Sequence, residues 1–411
     1  MQPQILFYII IGILVFNFVL DNILDYLNAK HFNDPIPEKI KDVYNVDEYK
    51  KSQCYKKDSA KFSTISGLIT TIFTLVFFFG NGFYHLDKFT RNFTNHPILK
   101  ALMFFGVLMF VSAVISLPLS YYRTFVIEEK YGFNNSTKKT FWFDKLKGFL
   151  LTLILGGGIL SLIIWFYKLT GENFWVYAWI LIAFFSVFMN MFYTKLIVPL
   201  FNKQKPLEES SLKTAIENYA QKVGFTVNNI FVIDGSKRSS KANAYFSGFG
   251  SQKRITLYDT LINDLEEEEI VAVLAHEVGH YKRKHIFFNL LSSIILTGLI
   301  LFLLSLFINS PILTEALGVT IPSFHIGLIT FGILYSPISE IIGLFMNFIS
   351  RKFEYQADNY AKETFKGQPL INSLKKLSKN NLSNLTPHPA YVFVHYSHPT
   401  LFERIKNLEL N

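Results

Sequence analysis

"AVLAHEVGHYKRKHIFFNLLSSIIL", residues 272–296, joins two unlike kinds of sequence. Its first half is polar and carries His276, Glu277 and His280; its second half is as apolar as a lipid-facing helix. The H-E-x-x-H spacing places two imidazoles four residues apart, on one helical face, where both reach one ion. Glu277 stands beside the first ligand and is placed to take a proton from a metal-activated water. The flanks support a helix. Asp264 and the acidic run 266–269 precede it, where a helix N-terminus favours negative charge. Ile270, Val273 and Leu274 follow at helical spacing. Gly279 costs about 1 kcal/mol in a helix interior relative to Ala, so its presence points to close packing near the ion. The plainer alternative is a pair of surface histidines flanking a membrane span, and a third ligand decides between the two.

Half of the 411 residues are hydrophobic and 17% are aromatic, and the apolar residues are clustered. A spanning helix needs about 20 apolar residues. Seven runs qualify: 4–24, 64–84, 101–121, 148–167, 175–199, 286–308 and 326–349. The first has no basic residue ahead of it and no small-residue cleavage pattern behind it, so it reads as an anchor and not a signal peptide. Lys plus Arg in the segments between spans number 0, 8, 3, 6, 1, 12, 0 and 9 from the N-terminus to the tail. High and low values alternate. By the positive-inside rule the N-terminus faces outward, and the first, third and fifth loops and the C-terminal tail are cytoplasmic. The net charge of +9 is therefore orientation; no basic stripe with base-stacking aromatics argues for nucleic acid. Cys54 is the only cysteine, which excludes an intrachain disulfide and a cysteine zinc site.

The spans locate the third ligand. His285 is the nearest candidate, but on one continuous helix it lies roughly 140° from His280 and roughly 180° from His276. Glu354 fits better. It stands in "SRKFEYQADNYAKETF", residues 350–365, which continues from the seventh span without Gly or Pro, and Asp358 shares its helical face. His280 precedes the sixth span by six residues and Glu354 follows the seventh by five. At about 1.5 Å per residue, both lie within roughly 10 Å of the same bilayer edge. The alternative for Glu354 and Asp358 is a solvated face pairing with Lys or Arg. Two histidines and a carboxylate leave a fourth position for water, the pattern of catalytic zinc.

Other features are consistent with such a site. "NAYFSG" and "RITLYDTL" read as two strands joined by a turn over 248–252. A strand edge can hold an extended peptide by main-chain bonds. Asn190 and Glu340 fall inside spans, where polar groups face a cavity or partner, and Pro337 is expected to kink the last span.

At these residues the chain resembles the integral-membrane zinc metalloproteases called CAAX prenyl protease 1, or type I prenyl endopeptidases. The resemblance is carried by "VDEYKKSQCYKKD" (46–58), "FVIEEKYGFNNST" (125–137), "VPLFNKQKPLEE" (198–209), "KRSSKANAYFSGFGSQKRITLYDTL" (237–261), "VLAHEVGH" (273–280), "SRKFEYQAD" (350–358) and "HYSHPTLFERI" (395–405). It implies an all-α membrane protein with seven transmembrane helices around a water-filled chamber, and a cytoplasmic α+β zinc metalloprotease domain. Residues 1–199 would supply helices 1–5, 200–285 the catalytic region, 286–349 helices 6 and 7, and 350–411 the tail that completes the catalytic domain. It implies one Zn2+ per chain on His276, His280 and Glu354, with Glu277 as general base. Asp358 would support a histidine or donate a proton, and His398 and Arg404 would flank the reacting carbonyl. Asn243, Ala244 and Tyr245 would lie along the substrate. Lys241 departs from the histidine found there in many members. The implied substrate is a peptide, prenylated at a CAAX terminus or otherwise membrane-associated, cleaved at the lipid bilayer. General quality control of membrane proteins is an alternative within the same chemistry, and zinc transport or metal binding is the alternative outside it.

Overall fold

The computed structural model describes residues 2–225, 230–248 and 254–410. Among them, six apolar helical stretches are long enough to cross a membrane: Pro3–Asn33, Val46–Phe79, Pro97–Tyr131, Lys138–Phe201, His285–Phe307 and Phe324–Thr364. The fourth is 64 residues long and contains two of the runs expected to span separately. Within it an α-helix ends at Thr170, Gly171 adopts φ 56° and ψ −127°, and a new helix begins at Phe174. Only glycine tolerates such a backbone without strain. The helices Gly157–Thr170 and Phe174–Leu196 pack on each other.

The outer faces of these helices are apolar and uncovered: Phe16 is 62% exposed, Ile154 68% and Phe184 69%. Water would penalise that area at about 25 cal/mol per Å²; acyl chains solvate it. Burial within the bundle follows a pattern that hydropathy does not show. In Val46–Phe79 the buried residues are Ser52, Tyr55 and Phe78, and in Pro97–Tyr122 they are Ala101 and Phe104. In Phe324–Thr364 the buried positions stop at Tyr335 and resume at Glu354. In His285–Phe307 they jump from His285 to Gly298. In these four helices the fully buried positions gather toward the ends. One core gathers Leu6, Phe78, Phe104, Phe174, Leu304 and Phe324 at one end of the bundle. The other gathers Tyr55, Tyr131, Ile216, Leu257, Leu274 and Leu370 around the polar segments at the opposite end.

The second core contains a four-stranded sheet in the order β1-β2-β4-β3, with β1 Gln204–Pro206, β2 Ile230–Ile233, β3 Ala244–Ser247 and β4 Arg254–Tyr258. The expected hairpin is present: β3 pairs antiparallel with β4, Tyr245 opposite Thr256. Residues 249–252 of its turn lie outside the described residues. β2 pairs parallel with β4, which leaves β3 as an edge strand.

Two helices set the depth of the site. Phe324–Thr364 is one helix of 41 residues that continues through Pro337 and carries Glu354 and Asp358 beyond the apolar stretch. Glu267–Lys282 carries HExxH and packs along it. Gly279 makes the contact close: a Cβ there would stand 3.1 Å from the Ala357 Cα and 3.2 Å from the Tyr360 Cβ. The small residue noted in the motif is thus the point where the two ligand-bearing helices touch.

Candidate active site

The HExxH helix begins with a capping box. Glu266 accepts from the third-residue backbone N–H, and Glu269 returns a bond to the Glu266 N–H at 2.8 Å. Ile270, Val271, Leu274, Ala275 and Val278 bury one side of the helix in the core. The opposite side then presents His276, Glu277 and His280 to the Phe324–Thr364 helix and to the C-terminal helix Leu401–Glu409.

His276, His280 and Glu354 each offer a ligand atom, and these atoms lie within 4.8 Å of one another. The two histidine Nε2 atoms are 3.1 Å apart. Glu354 Oε2 is 3.4 Å from His276 Nε2, and Oε1 is 3.2 Å from His280 Nε2. Ligands about 2.0–2.1 Å from a tetrahedral zinc sit about 3.3–3.4 Å from each other, so the trio already has the spacing of a coordination face. Glu354 is 4% exposed, and its Oε2 is buried without a hydrogen-bond partner. A buried carboxylate with one orphaned oxygen, set with one oxygen toward each imidazole, fits a cation among them.

The partners behind the rings fix which nitrogen is free. His276 Nδ1 is 2.9 Å from Asp358 Oδ1 and donates to it, so Nε2 keeps its lone pair for the cluster. His280 Nδ1 is 3.0 Å from His285 Nδ1, and His285 Nε2 is 2.8 Å from Gln356 Oε1. Gln356 accepts from His285 Nε2, His285 Nδ1 then accepts from His280 Nδ1, and the His280 Nε2 lone pair also faces inward. The His285 ring stacks on Phe353 with centroids 4.0 Å apart, which holds this relay in place. His285 stands outside the His276, His280 and Glu354 trio, yet it touches the site. The helix breaks at Lys284, whose φ is 62°, and restarts at His285, so an unbroken helical wheel misplaces it.

Asp358 is fully buried and is clasped by Arg404, which donates Nε to Oδ2 at 2.9 Å and its terminal nitrogen to Oδ1. A second terminal nitrogen of Arg404 is 3.6 Å from Glu354 Oε2. Glu403 does not pair with this arginine; it closes the capping box with Thr400 at the start of Leu401–Glu409. His398 Nε2 is 3.4 Å from Glu354 Oε1, on the non-helical stretch before Pro399. Its side chain is 62% accessible yet walled by protein, and this enclosure lowers its pKa.

The electrostatics match the geometry. Burial pulls the His276 pKa down, but hydrogen bonds to Asp358 and Glu354 outweigh it and hold it at about 9. Asp358 and Glu354 thus place negative charge on both sides of this ring. Burial pushes the Glu277 carboxyl up, against the opposing pull of His276 and His280. A carboxylate raised in this way is a better proton acceptor than one in water.

β3 lies beside this cluster: the Phe246 ring meets the ring of Tyr281, the residue after His280, at 5.3 Å. Asn243 is exposed and its Oδ1 accepts from the Ala244 N–H at 2.8 Å. The Asn243 carbonyl accepts from the Tyr258 N–H at 3.1 Å, so by antiparallel alternation the Ala244 and Phe246 main chain turns to the free edge. Tyr245 packs edge-on to Tyr258. All ten site residues expected from the sequence thus fall at this end of the bundle.

Comparison with known proteins gives a consistent result. Residues 25–203 match the family model described as CAAX prenyl protease N-terminal, five membrane helices, and residues 206–410 match peptidase family M48. The CAAX prenyl protease 1 homolog of Dictyostelium discoideum is 38% identical over 383 residues, 91% of this chain and 89% of its own. CAAX prenyl protease 1 of Saccharomyces cerevisiae is 34% identical, over 98% of this chain and 94% of its own. The crystal structure of S. mikatae Ste24p superposes with a TM-score of 0.94 at 34% identity, covering 98% of this chain and 99% of that one.

Proposed function

The chain belongs to the CAAX prenyl protease 1 family of M48 peptidases, and on that premise we propose that His276, His280 and Glu354 hold a catalytic zinc ion. The protein is a membrane metalloendopeptidase of CAAX processing, with a metal cofactor, a peptide substrate and a multi-pass membrane region. The observation that carries the zinc assignment is the convergence of two Nε2 lone pairs and one orphaned carboxylate oxygen at coordination spacing. When bound, zinc supplies a Lewis acid that lowers the pKa of water and polarises a carbonyl.

The chain's own residues account for the rest. Glu277 takes a proton from the attacking water and passes it to the leaving amine. Asp358 holds His276 in the tautomer that frees Nε2, and Arg404 balances the Asp358 charge. His398 faces the open side of the site and donates to the developing oxyanion, with the nearest Arg404 nitrogen behind it. The exposed edge of β3 at Asn243, Ala244 and Tyr245 extends the sheet with the substrate backbone.

The break at Gly171 supports two passes within Lys138–Phe201, hence seven spans. Residues 1–199 and 286–349 then form the membrane part, and 200–285 with 350–411 the catalytic domain, whose shared core favours one unit. The alternating Lys and Arg counts favour a cytoplasmic catalytic domain and an outward N-terminus. The sparse burial at mid-helix favours a chamber, and Asn190 lines a cavity of about 1050 Å³ beside the sheet. Such a space suits a substrate with a lipid attached.

The test compares a farnesylated CAAX peptide with its unprenylated twin, on wild type and on Glu277→Gln. Wild type should release the last three residues and prefer the farnesylated form. Glu277→Gln should keep its zinc and lose about 10²–10⁴-fold in rate. A variant that cleaves at the wild-type rate would remove Glu277 from the chemistry; equal cleavage of the twins would remove the lipid from recognition.

A further inference from the structure

A second charged cluster stands at the other end of the substrate edge. Lys241, two residues before Asn243, donates its ammonium to Glu128 Oε2 at 2.9 Å and to the Tyr55 hydroxyl at 3.1 Å. The same ammonium lies 4.2 Å above the Phe133 ring. Arg123 Nε is 4.0 Å from Glu128 Oε1. Lys56 adjoins Tyr55, with its Nζ 5.4 Å from that ring, and among the described residues no carboxylate pairs with it. Three cations surround one carboxylate. The excess is positive, and it is reachable, because the Lys241 side chain is 36% exposed.

This cluster is continuous with the active site. A cavity of about 390 Å³ has Lys56, Asn384, Ser397 and His398 in its wall, and His398 is 3.4 Å from the ligand Glu354. The far end of β3 is different. Tyr245 and Ser247 line the cavity of about 1050 Å³ together with Phe185, Met189 and Leu290 from the apolar helices. The edge strand therefore runs from a cationic end to an apolar one.

A CAAX substrate has the same asymmetry. On one side of its scissile bond is the lipidated cysteine, and on the other are three residues that end in a free carboxylate. Charge complementarity orients it antiparallel to β3, with the lipid toward Ser247 and the carboxylate toward Lys241. The reach agrees as well. An extended residue advances about 3.3 Å, so three residues cover about 10 Å, and Lys241 is three residues before Ala244, whose main chain faces the free edge.

We propose that Lys241, assisted by Lys56 and Arg123, receives the terminal α-carboxylate of the substrate and so measures the three-residue distance from the C-terminus to the cut. The proposal rests on the reading of β3 as the peptide-binding edge. It makes the departure at Lys241 a specificity determinant: its long side chain reaches a carboxylate lying beyond the end of the strand.

The test uses one CAAX sequence as free acid and as C-terminal amide, each with and without farnesyl. Wild type should prefer the acid by at least about tenfold in kcat/KM, expressed mainly in KM, as expected when a charged hydrogen-bonded pair is lost. Lys241→Met should bring the acid-to-amide ratio to within about twofold of one, and Lys241→Arg should restore most of it. Because the ratio is internal to each variant, a lower folded yield does not affect it. An acid preference together with equal cleavage of the farnesylated and plain peptides sustains the inference while refuting the lipid reading. Equal cleavage of acid and amide by wild type, or an unchanged ratio in both Lys241→Met and Lys56→Met, overturns the inference and leaves the zinc site untouched. Failure to cleave any of the four peptides overturns both readings.

Discussion

Arg404 pairs with the buried Asp358, and a double-mutant cycle tests whether that pairing is its role. The family resemblance implies a place beside the reacting carbonyl. Its guanidinium fork is instead occupied by Asp358, which is 0% exposed, while the Arg404 side chain is 12% exposed. Arg404→Met leaves a buried carboxylate with His276 as its remaining partner. Removing one member of a buried pair costs about 3–5 kcal/mol, a large part of the roughly 5–15 kcal/mol by which domains are stable. The single variant should be poorly expressed and should lose activity at a much lower temperature. Asp358→Asn alone should weaken zinc binding about 10–100-fold, since it weakens the support of a ligand histidine. The double variant Asp358→Asn/Arg404→Met has no stranded charge. It should be more thermostable than Arg404→Met, with a coupling of about 2–3 kcal/mol. The measurements are thermal inactivation in one detergent, and zinc retention against a chelator for all four proteins. If the two single effects add to within about 0.5 kcal/mol, the residues act independently and Arg404 returns to the role of a direct donor.

Two further outcomes follow from geometry described above. His285→Ala removes the acceptor for His280 Nδ1 and should weaken zinc binding about 10–100-fold, whereas His285→Gln should retain more of it; chelator competition reads both, and wild-type affinity in each would remove His285 from the relay. With Cys54 replaced by Ser, single cysteines in the 309–324 loop should react with an impermeant reagent only from the outer side, and cysteines in the tail only from the cytoplasmic side; labelling of the loop from the cytoplasm would reverse the topology.

The proposed metal site is legible in the sequence because two periodicities coincide there. Helical spacing groups His276 with His280, and span counting brings Glu354 to the same depth. Neither depends on long-range pairing. What escaped reading depends on single backbone events or on distant partners. The left-handed Lys284 swings His285 back onto His280, and no composition signal marks a non-glycine at positive φ. β1 and β2 were missed because Gln204–Pro206 is three residues long and contains a proline, and Ile230–Ile233 is four apolar residues that fit either helix or strand. Arg404 meets Asp358 across 46 residues of chain, so its partner could not be read from local spacing. Lys241 likewise finds Glu128 across 113 residues. Six stretches stand where seven runs were expected, and two of those runs lie within Lys138–Phe201 on either side of the break at Gly171.

The confinement of buried residues to the two ends of the helices has a mechanical consequence. Each helix resembles a stave clamped by a hoop at the top and another at the bottom, with no hoop at mid-height. A beam held at both ends deflects most at its centre, so neighbouring staves can part there without loosening either clamp. Fully buried residues are sparser at that level than at the two ends. What resists the lateral pressure of the acyl chains is the bending stiffness of single helices. The volume between the staves is therefore shared between protein and bilayer, and a change of lipid should alter it while the catalytic end stays rigid.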